Sequence, residues 1–157
     1  MSFFVFDFLV LNDVPFEIPE PRESDYLAIV RMPSTKFTRV CNKLGVFGDS
    51  GDRDTTGVVI SLDKEHVRFF TQGKAGTSTI YCYRTKTVDK TKEPTLIEMK
   101  KEEEVSLTFD LRYIISLSKV SALSDQVTIC LSSKQPTMFE YKIADIGLHQ
   151  ILCDFKG

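Results

Sequence analysis

The sequence predicts one α+β domain in which a β-α-β-β-β unit occurs twice, with two helices on one face of antiparallel sheet. Each half of the chain holds one amphipathic stretch with the apolar spacing of a helix, preceded by a strand-like run. Three further strand-like runs, separated by polar turns, follow each helical stretch. The 157 residues are 42% hydrophobic and 27% charged, which is typical of one globular domain with a sizeable core. Neither half can close a core alone, so we expect the two units to pack together.

Residues 1–25 are predicted to form a terminal strand followed by an extended linker. The run Phe3–Leu11 is rich in Phe, Val and Leu, and the prolines Pro15, Pro19 and Pro21 follow it. A helix does not persist through such a proline pattern. The apolar run lacks a basic flank and is interrupted by an aspartate, so it indicates neither a secretory signal nor a membrane span. Residues 26–157 are predicted to form the single domain.

The first helix is predicted to follow a strand at Tyr26–Met32. Pro33 and Ser34 favour a helix start, because a serine oxygen can accept hydrogen bonds from the first free backbone N–H groups. Apolar residues then recur at the spacing of one helical face, at Phe37, Val40, Cys41 and Leu44. The helix is expected to end near Gly45–Gly48.

A three-stranded meander is predicted after this helix. Its strands are expected near Gly57–Leu62, His66–Gln72 and Thr77–Arg84. Tight turns are expected at Asp63–Glu65 and Gly73–Gly76. The segment Lys86–Thr95 is interpreted as a charged connection to the second unit.

The second unit is predicted to repeat this order. A strand near Val105–Phe109 leads to Asp110, which suits the N-cap of a second helix. The apolar face of that helix is formed by Leu111, Ile114 and Ile115. Three strands are expected after it, near Val127–Ser132, Met138–Ile143 and Leu148–Phe155.

The reactive residue types form no catalytic or metal-binding pattern. Cys41, Cys82, Cys130 and Cys153 lie in apolar or strand-like runs without the spacing of metal ligands, so we interpret them as buried reduced thiols. His66 and His149 have no partners for nucleophilic or acid–base chemistry nearby in sequence. The acidic run Glu102–Glu104 is expected to solvate a loop. No catalytic residue, metal or cofactor is therefore expected, and an enzyme is the least favoured class.

Four segments carry a resemblance to a known family. They are, in chain order, Ile18–Glu20, Val30–Cys41, Ser106–Tyr113 and Pro136–Gly147. These segments resemble, in the same order, the C-terminal domain and connecting loop of the proliferating cell nuclear antigen family, the eukaryotic DNA sliding clamps. The resemblance implies the DNA-clamp (processivity factor) fold, a nuclear protein of DNA replication and repair, and a binding function without catalysis.

Basic residues on the two predicted helices are the candidate DNA-binding residues. Three of them recur on one stripe of the first helix and two are seven residues apart on the second, on a chain of net charge −2. Charge spacing alone favours a solvated helix face, whereas the resemblance implies that such side chains line a channel for double-stranded DNA. The candidates, with one at the end of the first strand, are Arg31, Lys36, Arg39, Lys43, Arg112 and Lys119. Asn42 stands where the family usually has a basic residue.

A second candidate site is a groove for partner peptides. The resemblance implies that clamp-binding motifs of replication and repair proteins dock between the linker and the C-terminal strand. The groove residues are Phe16, Ile18, Tyr26, Pro136 and Leu152. The alternative is that the linker residues only pin the linker to the sheet. The sequence departs from the family at Asp154-Phe155, where a small residue and a proline are usual, and it lacks the acidic tail.

Two strand edges are the candidate subunit interface. The resemblance implies pairing across a subunit boundary by the edges that contain Phe4 and Phe6 and, on the other side, Thr77, Ser78, Thr79 and Tyr81. The alternative is ordinary solvent-covered sheet edges. Because Thr-Ser-Thr replaces a glycine-rich family segment, we expect a different chain, clamp-like or unrelated, as the partner, with self-assembly as the second possibility. Lys64, in a tight turn, occupies the position of the family's modification lysine.

Two functions follow from these observations. The first is a sliding-clamp-like subunit that contacts DNA and docks partner proteins. The second is a degenerate clamp-like domain that serves as a scaffold in a larger assembly without encircling DNA. A clamp subunit has two such domains and this chain has one plus the linker, so we expect it to work with another clamp-like chain or within a larger assembly.

Overall fold

The predicted α+β fold, with two helices and antiparallel sheet, is confirmed in a computed structural model, which describes residues 26–48, 57–73, 76–86, 93–143 and 147–153. These residues form two helices and nine strands. The first unit contains β1 (Ala28–Pro33), α1 (Ser34–Gly48), β2 (Gly57–Leu62), β3 (His66–Gly73) and β4 (Gly76–Tyr83). A short β5 (Leu96–Met99) follows, and the second unit contains β6 (Val105–Asp110), α2 (Leu111–Ser121), β7 (Gln126–Leu131), β8 (Thr137–Ile143) and β9 (Gly147–Cys153).

The strands form two antiparallel sheets, and each sheet takes strands from both units. The first sheet has the order β5-β1-β7-β8-β9 and the second has the order β4-β3-β2-β6. Strand β1 thus pairs with β7 of the second unit, and β6 pairs with β2 of the first. This exchange explains why the two units fold together, as the sequence predicts, and why the strands divide into two sheets.

Strand β5 is absent from the sequence-based prediction. It extends the first sheet by pairing with β1, with Val30 opposite Ile97 and Ile29 opposite Glu98. Strand β5 is four residues long, contains the charged residue Glu98, and alternates between exposed and half-buried positions. Such a short strand gives a weak periodic signal, and it forms because the edge of β1 supplies a pairing partner.

A cluster of four phenylalanines joins both sheets to the first helix. Phe37 on α1 lies 6.4 Å from Phe69 on β3 and 6.1 Å from Phe139 on β8, measured between ring centroids. Phe109 on β6 lies 6.4 Å from Phe139. All four side chains are buried. This phenylalanine cluster is the centre of a continuous core that includes residues from both sheets and both helices.

The two helices pack side by side over this core, as predicted. The Cys41 thiol of α1 lies 3.5 Å from the backbone carbonyl of Ile114 in α2. A Cβ atom added at Gly45 would lie 3.4 Å from Cδ1 of Ile115. The small side chains at these positions allow the helices to approach closely. Neither helix is long and apolar enough to cross a membrane, within the residues described.

The two helix starts differ in how they are held. Asp110, the predicted N-cap of α2, has extended backbone and accepts a 2.9 Å hydrogen bond from the Arg112 backbone N–H, which confirms that prediction. At α1, the contact shown for the Ser34 hydroxyl is a donation to the Ser124 carbonyl rather than a cap of its own helix. The Ser34 backbone N–H donates to Asp125 over 3.0 Å. The start of α1 is therefore fixed to the loop between α2 and β7.

We expect truncation in the phenylalanine cluster to be costly. Phe139→Ala removes a side chain that contacts rings from a helix and from the other sheet, so it is expected to lower the free energy of unfolding by about 3–5 kcal/mol. Leu123→Ala, at a side chain that is 65% exposed, is the control and is expected to change it by less than about 0.5 kcal/mol. Urea unfolding followed by circular dichroism measures both. Equal costs for the two variants would contradict the role of the cluster.

Candidate functional site

Three of the predicted DNA-binding residues lie on the solvent side of the helix pair. On α2, Arg112 and Lys119 are separated by about two helical turns and lie opposite the buried face formed by Leu111, Ile114 and Leu117. On α1, Arg39 lies opposite the residues that face the core, and its side chain is 54% exposed. The Arg112 side chain is 78% exposed. The packing of α1 against α2 brings these cations onto one surface, which we call the helix-pair surface.

Lys36 and Lys43 lie on the flank of α1 that faces β4. Burial raises the pKa of the Cys82 thiol on β4, and the nearby charges of Lys36, Lys43 and Arg39 oppose that rise. Arg39 is thus near this strand as well as on the solvent side of α1. Lys36 Nζ also donates to Thr95 Oγ1 over 2.7 Å and to the Glu93 carbonyl over 3.3 Å. Lys36 is thus engaged with the segment before β5, whereas Lys43 is exposed.

Arg31 is not brought together with the helix residues. In β1, Ala28, Val30 and Met32 face the phenylalanine cluster, and Arg31 lies on the opposite face of the first sheet. It forms a 3.1 Å ion pair with Glu98 of β5.

Carboxylates of the same chain hold both arginines of the helix-pair surface. Arg39 donates two hydrogen bonds to Glu93, of 2.9 and 2.5 Å. Arg112 donates to the Asp110 carboxylate over 2.9 and 3.3 Å. The Arg39 hydrogen bond lowers the pKa of the Glu93 carboxyl, and the Asp110 hydrogen bond raises the pKa of Arg112. Each pair is therefore ionised at neutral pH, and the positive charge of each arginine is locally balanced.

Sequence reasoning did not predict either of these pairs. Asp110 was expected only as a helix cap, and its second role follows from its position two residues before Arg112. Glu93 and Arg39 are 54 residues apart in the chain, so no local spacing could indicate their contact.

Two of the predicted groove residues are directly linked. The Tyr26 hydroxyl donates a 2.9 Å hydrogen bond to the Pro136 carbonyl. Tyr26 also belongs to a second buried cluster, with Ile29, Cys130 and Met138, on the face of the first sheet that points away from the phenylalanine cluster.

The strand register continues this second cluster to the C-terminal strand. Ile29 is opposite Cys130, Cys130 is opposite Met138, and Met138 is opposite Leu152. Leu152, a predicted groove residue, therefore continues this row, which crosses β1, β7, β8 and β9. Phe16 and Ile18 lie outside the described residues. On this outer face, Ile29, Cys130 and Met138 are followed by the polar row Arg31, Thr128 and Glu140. Apolar alternation therefore gives no clear signal for the row in the sequence, because the row depends on which strands pair.

The predicted interface strand is an edge strand. β4 pairs only with β3 and ends its sheet, among the strands described. Thr77, Thr79 and Tyr81 are exposed and Ser78 is half-buried, as expected for an unpaired edge. Phe4 and Phe6, the predicted residues of the other edge, lie outside the described residues.

Lys64 is exposed in the turn between β2 and β3. It forms an ion pair with Glu102, which is one of the acidic residues that the sequence analysis assigned to loop solvation. The hydrogen bond from Lys64 lowers the pKa of the Glu102 carboxyl. A cleft of about 290 Å³ beside Lys64 is lined also by Arg84, Ile97 and Met99. The modification of Lys64 stays a prediction.

The described cysteines and histidine do not form a reactive site. Burial raises the pKa of the Cys41 thiol to about 12, so the nucleophilic thiolate is scarce at neutral pH. Cys82 and Cys130 are also buried and reduced. Within the described part of the chain, no group of three or more His, Cys, Asp or Glu side chains is arranged to hold a metal ion.

The chain matches a known protein family over most of its length. The family described as "Proliferating cell nuclear antigen, C-terminal domain" matches residues 18–155. The match begins in the predicted linker, at the Ile18–Glu20 segment, and spans every described helix and strand.

We expect the described thiols to resist modification in the folded protein. In a Cys153→Ser background, Ellman's reagent at pH 8 should leave Cys41, Cys82 and Cys130 unmodified until the chain is unfolded in denaturant, because all three are buried. The pKa of an unfolded thiol is near 9, and that of folded Cys41 is about 12. The neutral, buried Cys41 thiol therefore contributes its full stabilisation below pH 9, and this stabilisation is lost as the pH rises toward 12. Complete modification of the native protein within the mixing time would contradict this interpretation.

Proposed function

We propose, on the premise that the chain belongs to the proliferating cell nuclear antigen family, that it is a sliding-clamp-like subunit that contacts double-stranded DNA and docks partner proteins. Sliding clamps are non-enzymatic processivity factors. The observation that carries the proposal is the common position of Arg39, Arg112 and Lys119 on the helix-pair surface. DNA replication and repair, in the nucleus, are the processes in which we place it.

The proposed DNA contact is electrostatic and independent of base sequence. Guanidinium and ammonium groups on helix surfaces bind phosphate oxygens, and phosphate contacts position a protein on the duplex without reading bases. Lys43 on the adjacent flank of α1 adds to the positive field, whereas Asn42 offers no charge.

The proposed docking groove lies beside the outer row of the first sheet, whose residues Tyr26, Ile29, Cys130 and Met138 are themselves buried. The Tyr26 to Pro136 hydrogen bond fixes the loop before β8 against the strand that follows the linker, beside the apolar row that leads to Leu152. A peptide with an aromatic and an aliphatic side chain suits such an apolar groove when a linker covers one side. Phe16 and Ile18 are the residues that we propose for that side.

The second candidate function is a scaffold that does not encircle DNA. Two observations favour it: Glu93 and Asp110 neutralise the arginines of the helix-pair surface, and Asn42 replaces a usual cation. In either function, the exposed edge of β4 supports assembly with another clamp-like chain. Retention on circular but not on linear DNA would distinguish a topological clamp from a scaffold.

The DNA contact can be tested by removing charge from the helix-pair surface. Arg39→Ala with Arg112→Ala is expected to weaken binding to duplexes of different sequence equally, and to reduce the slope of log K against log salt by about one unit per lost contact. The control, Lys64→Ala with Arg84→Ala, removes the same charge away from the helices and should leave the slope nearly unchanged. A salt slope that the helix variants do not change would contradict the proposal.

The docking groove can be tested by titration calorimetry with a clamp-binding peptide. Ile18→Asp places an unpaired charge in the proposed groove and is expected to reduce peptide affinity by about 1–3 kcal/mol. Leu123→Asp makes the same kind of change at an exposed position near the end of α2 and should leave affinity unchanged. If the unmutated chain does not bind the peptide, the groove does not have this role.

A further inference from the structure

The segment that precedes β5 places a carboxylate on the cations of α1. Glu93 accepts two hydrogen bonds from the Arg39 guanidinium, and a third, of 3.3 Å, from the Thr35 hydroxyl. Thr35 lies in the first turn of α1, where the free backbone N–H groups also favour an anion. The Glu93 carboxylate thus accepts hydrogen bonds from both the Arg39 guanidinium and the Thr35 hydroxyl at the start of α1.

These donors are the ones that proteins use to bind phosphate. A guanidinium binds two oxygens of a carboxylate or of a phosphate with the same geometry, and hydroxyl groups complete many phosphate contacts on DNA. A DNA phosphate and the Glu93 carboxylate cannot occupy the Arg39 fork together. We propose that Glu93 is an affinity-determining residue of this chain, an internal competitor for the DNA phosphate that would otherwise bind Arg39 and Thr35. The inference rests on the proposed DNA contact.

The position of Glu93 is fixed by contacts on both sides of the segment. The Thr85 backbone N–H donates to the Thr95 carbonyl over 2.9 Å, and the Thr95 N–H donates to Thr85 Oγ1 over 2.9 Å. Thr95 is buried, and its hydroxyl accepts from Lys36 Nζ. Because Lys36 also donates to the Glu93 carbonyl, it holds this segment against α1. Lys36 is therefore a positioning residue for Glu93 rather than a direct phosphate contact.

Another anion can displace Glu93 from Arg39 more easily than it can displace Asp110 from Arg112. The Asp110 side chain is 9% exposed and caps α2, so its loss would disturb the helix. The Glu93 and Arg39 side chains are 37% and 54% exposed, and exposed ion pairs are weak because water and salt compete with them. A phosphate can therefore displace Glu93 from Arg39, at the cost of the internal ion pair.

Binding of a short fluorescent duplex, measured by anisotropy over a series of salt concentrations, tests the inference. Glu93→Gln is expected to bind about two- to fivefold more tightly than the unmutated chain at low salt, and to steepen the salt slope by about one unit. The matched control is Glu102→Gln, which removes a carboxylate paired with Lys64 on another part of the surface. The gain should disappear when Arg39→Ala is combined with Glu93→Gln. Glu93→Ala is a second variant that removes the carboxylate with no hydrogen-bonding replacement, and it should give the same gain.

The outcomes separate this inference from the proposed function. If both Glu93 variants bind as Glu102→Gln does while Arg39→Ala weakens binding, the competitor role is overturned and the DNA contact stands. If Arg39→Ala has no effect in either background and Glu93→Gln matches the control, the competitor role and the DNA contact are both overturned. A Glu93-specific gain that depends on Arg39 supports both.

Discussion

The contact of Phe37 and Phe109 with Phe139 is the constraint on which the other features of this domain depend. It fixes α1 against both sheets at once, and the exchange of β1 and β6 between the two units brings those sheets together. Because the helices cover this cluster with their apolar faces, their opposite faces are exposed to solvent. The helix-pair surface is thus a consequence of core packing, and the core does not depend on the charges of that surface.

The charges on that surface are more balanced than a count of cations suggests. Arg39 and Arg112 each face a carboxylate of the same chain, while Lys119 is exposed, as is Lys43 on the adjacent flank of α1. Sequence-independent contacts that are easily exchanged allow a protein to move along DNA, whereas strong contacts retain it in place. In the proposed DNA contact, the Glu93 carboxylate that shares Arg39 with phosphate is a physical means of keeping that contact weak. If no ring closes around the duplex, the same pairing of arginines with carboxylates favours the scaffold function over the clamp function.

Much of the fold could be predicted because apolar periodicity and turn residues report local structure. Strand β2 has the predicted bounds, and Asp110 caps α2 as its side chain and position indicate. Strand β5 and the division into two sheets could not be predicted, since both depend on which edges meet in space. The positions of Arg39, Arg112 and Lys119 on the exposed faces of the helices could be predicted from helical spacing. The pairing of Arg39 with Glu93, 54 residues away in the chain, could not.

The most direct test of the account is to identify the residues that contact DNA. In a titration of the ¹⁵N-labelled chain with a short duplex at low salt, the account predicts that amide shifts change mainly in α1, α2 and the segment around Glu93. The changes should be the same for duplexes of different sequence and should vanish as salt is raised, because the contact is electrostatic. Changes confined to the outer face of the second sheet, around Arg68 and Tyr81, or no changes in either helix, would contradict it.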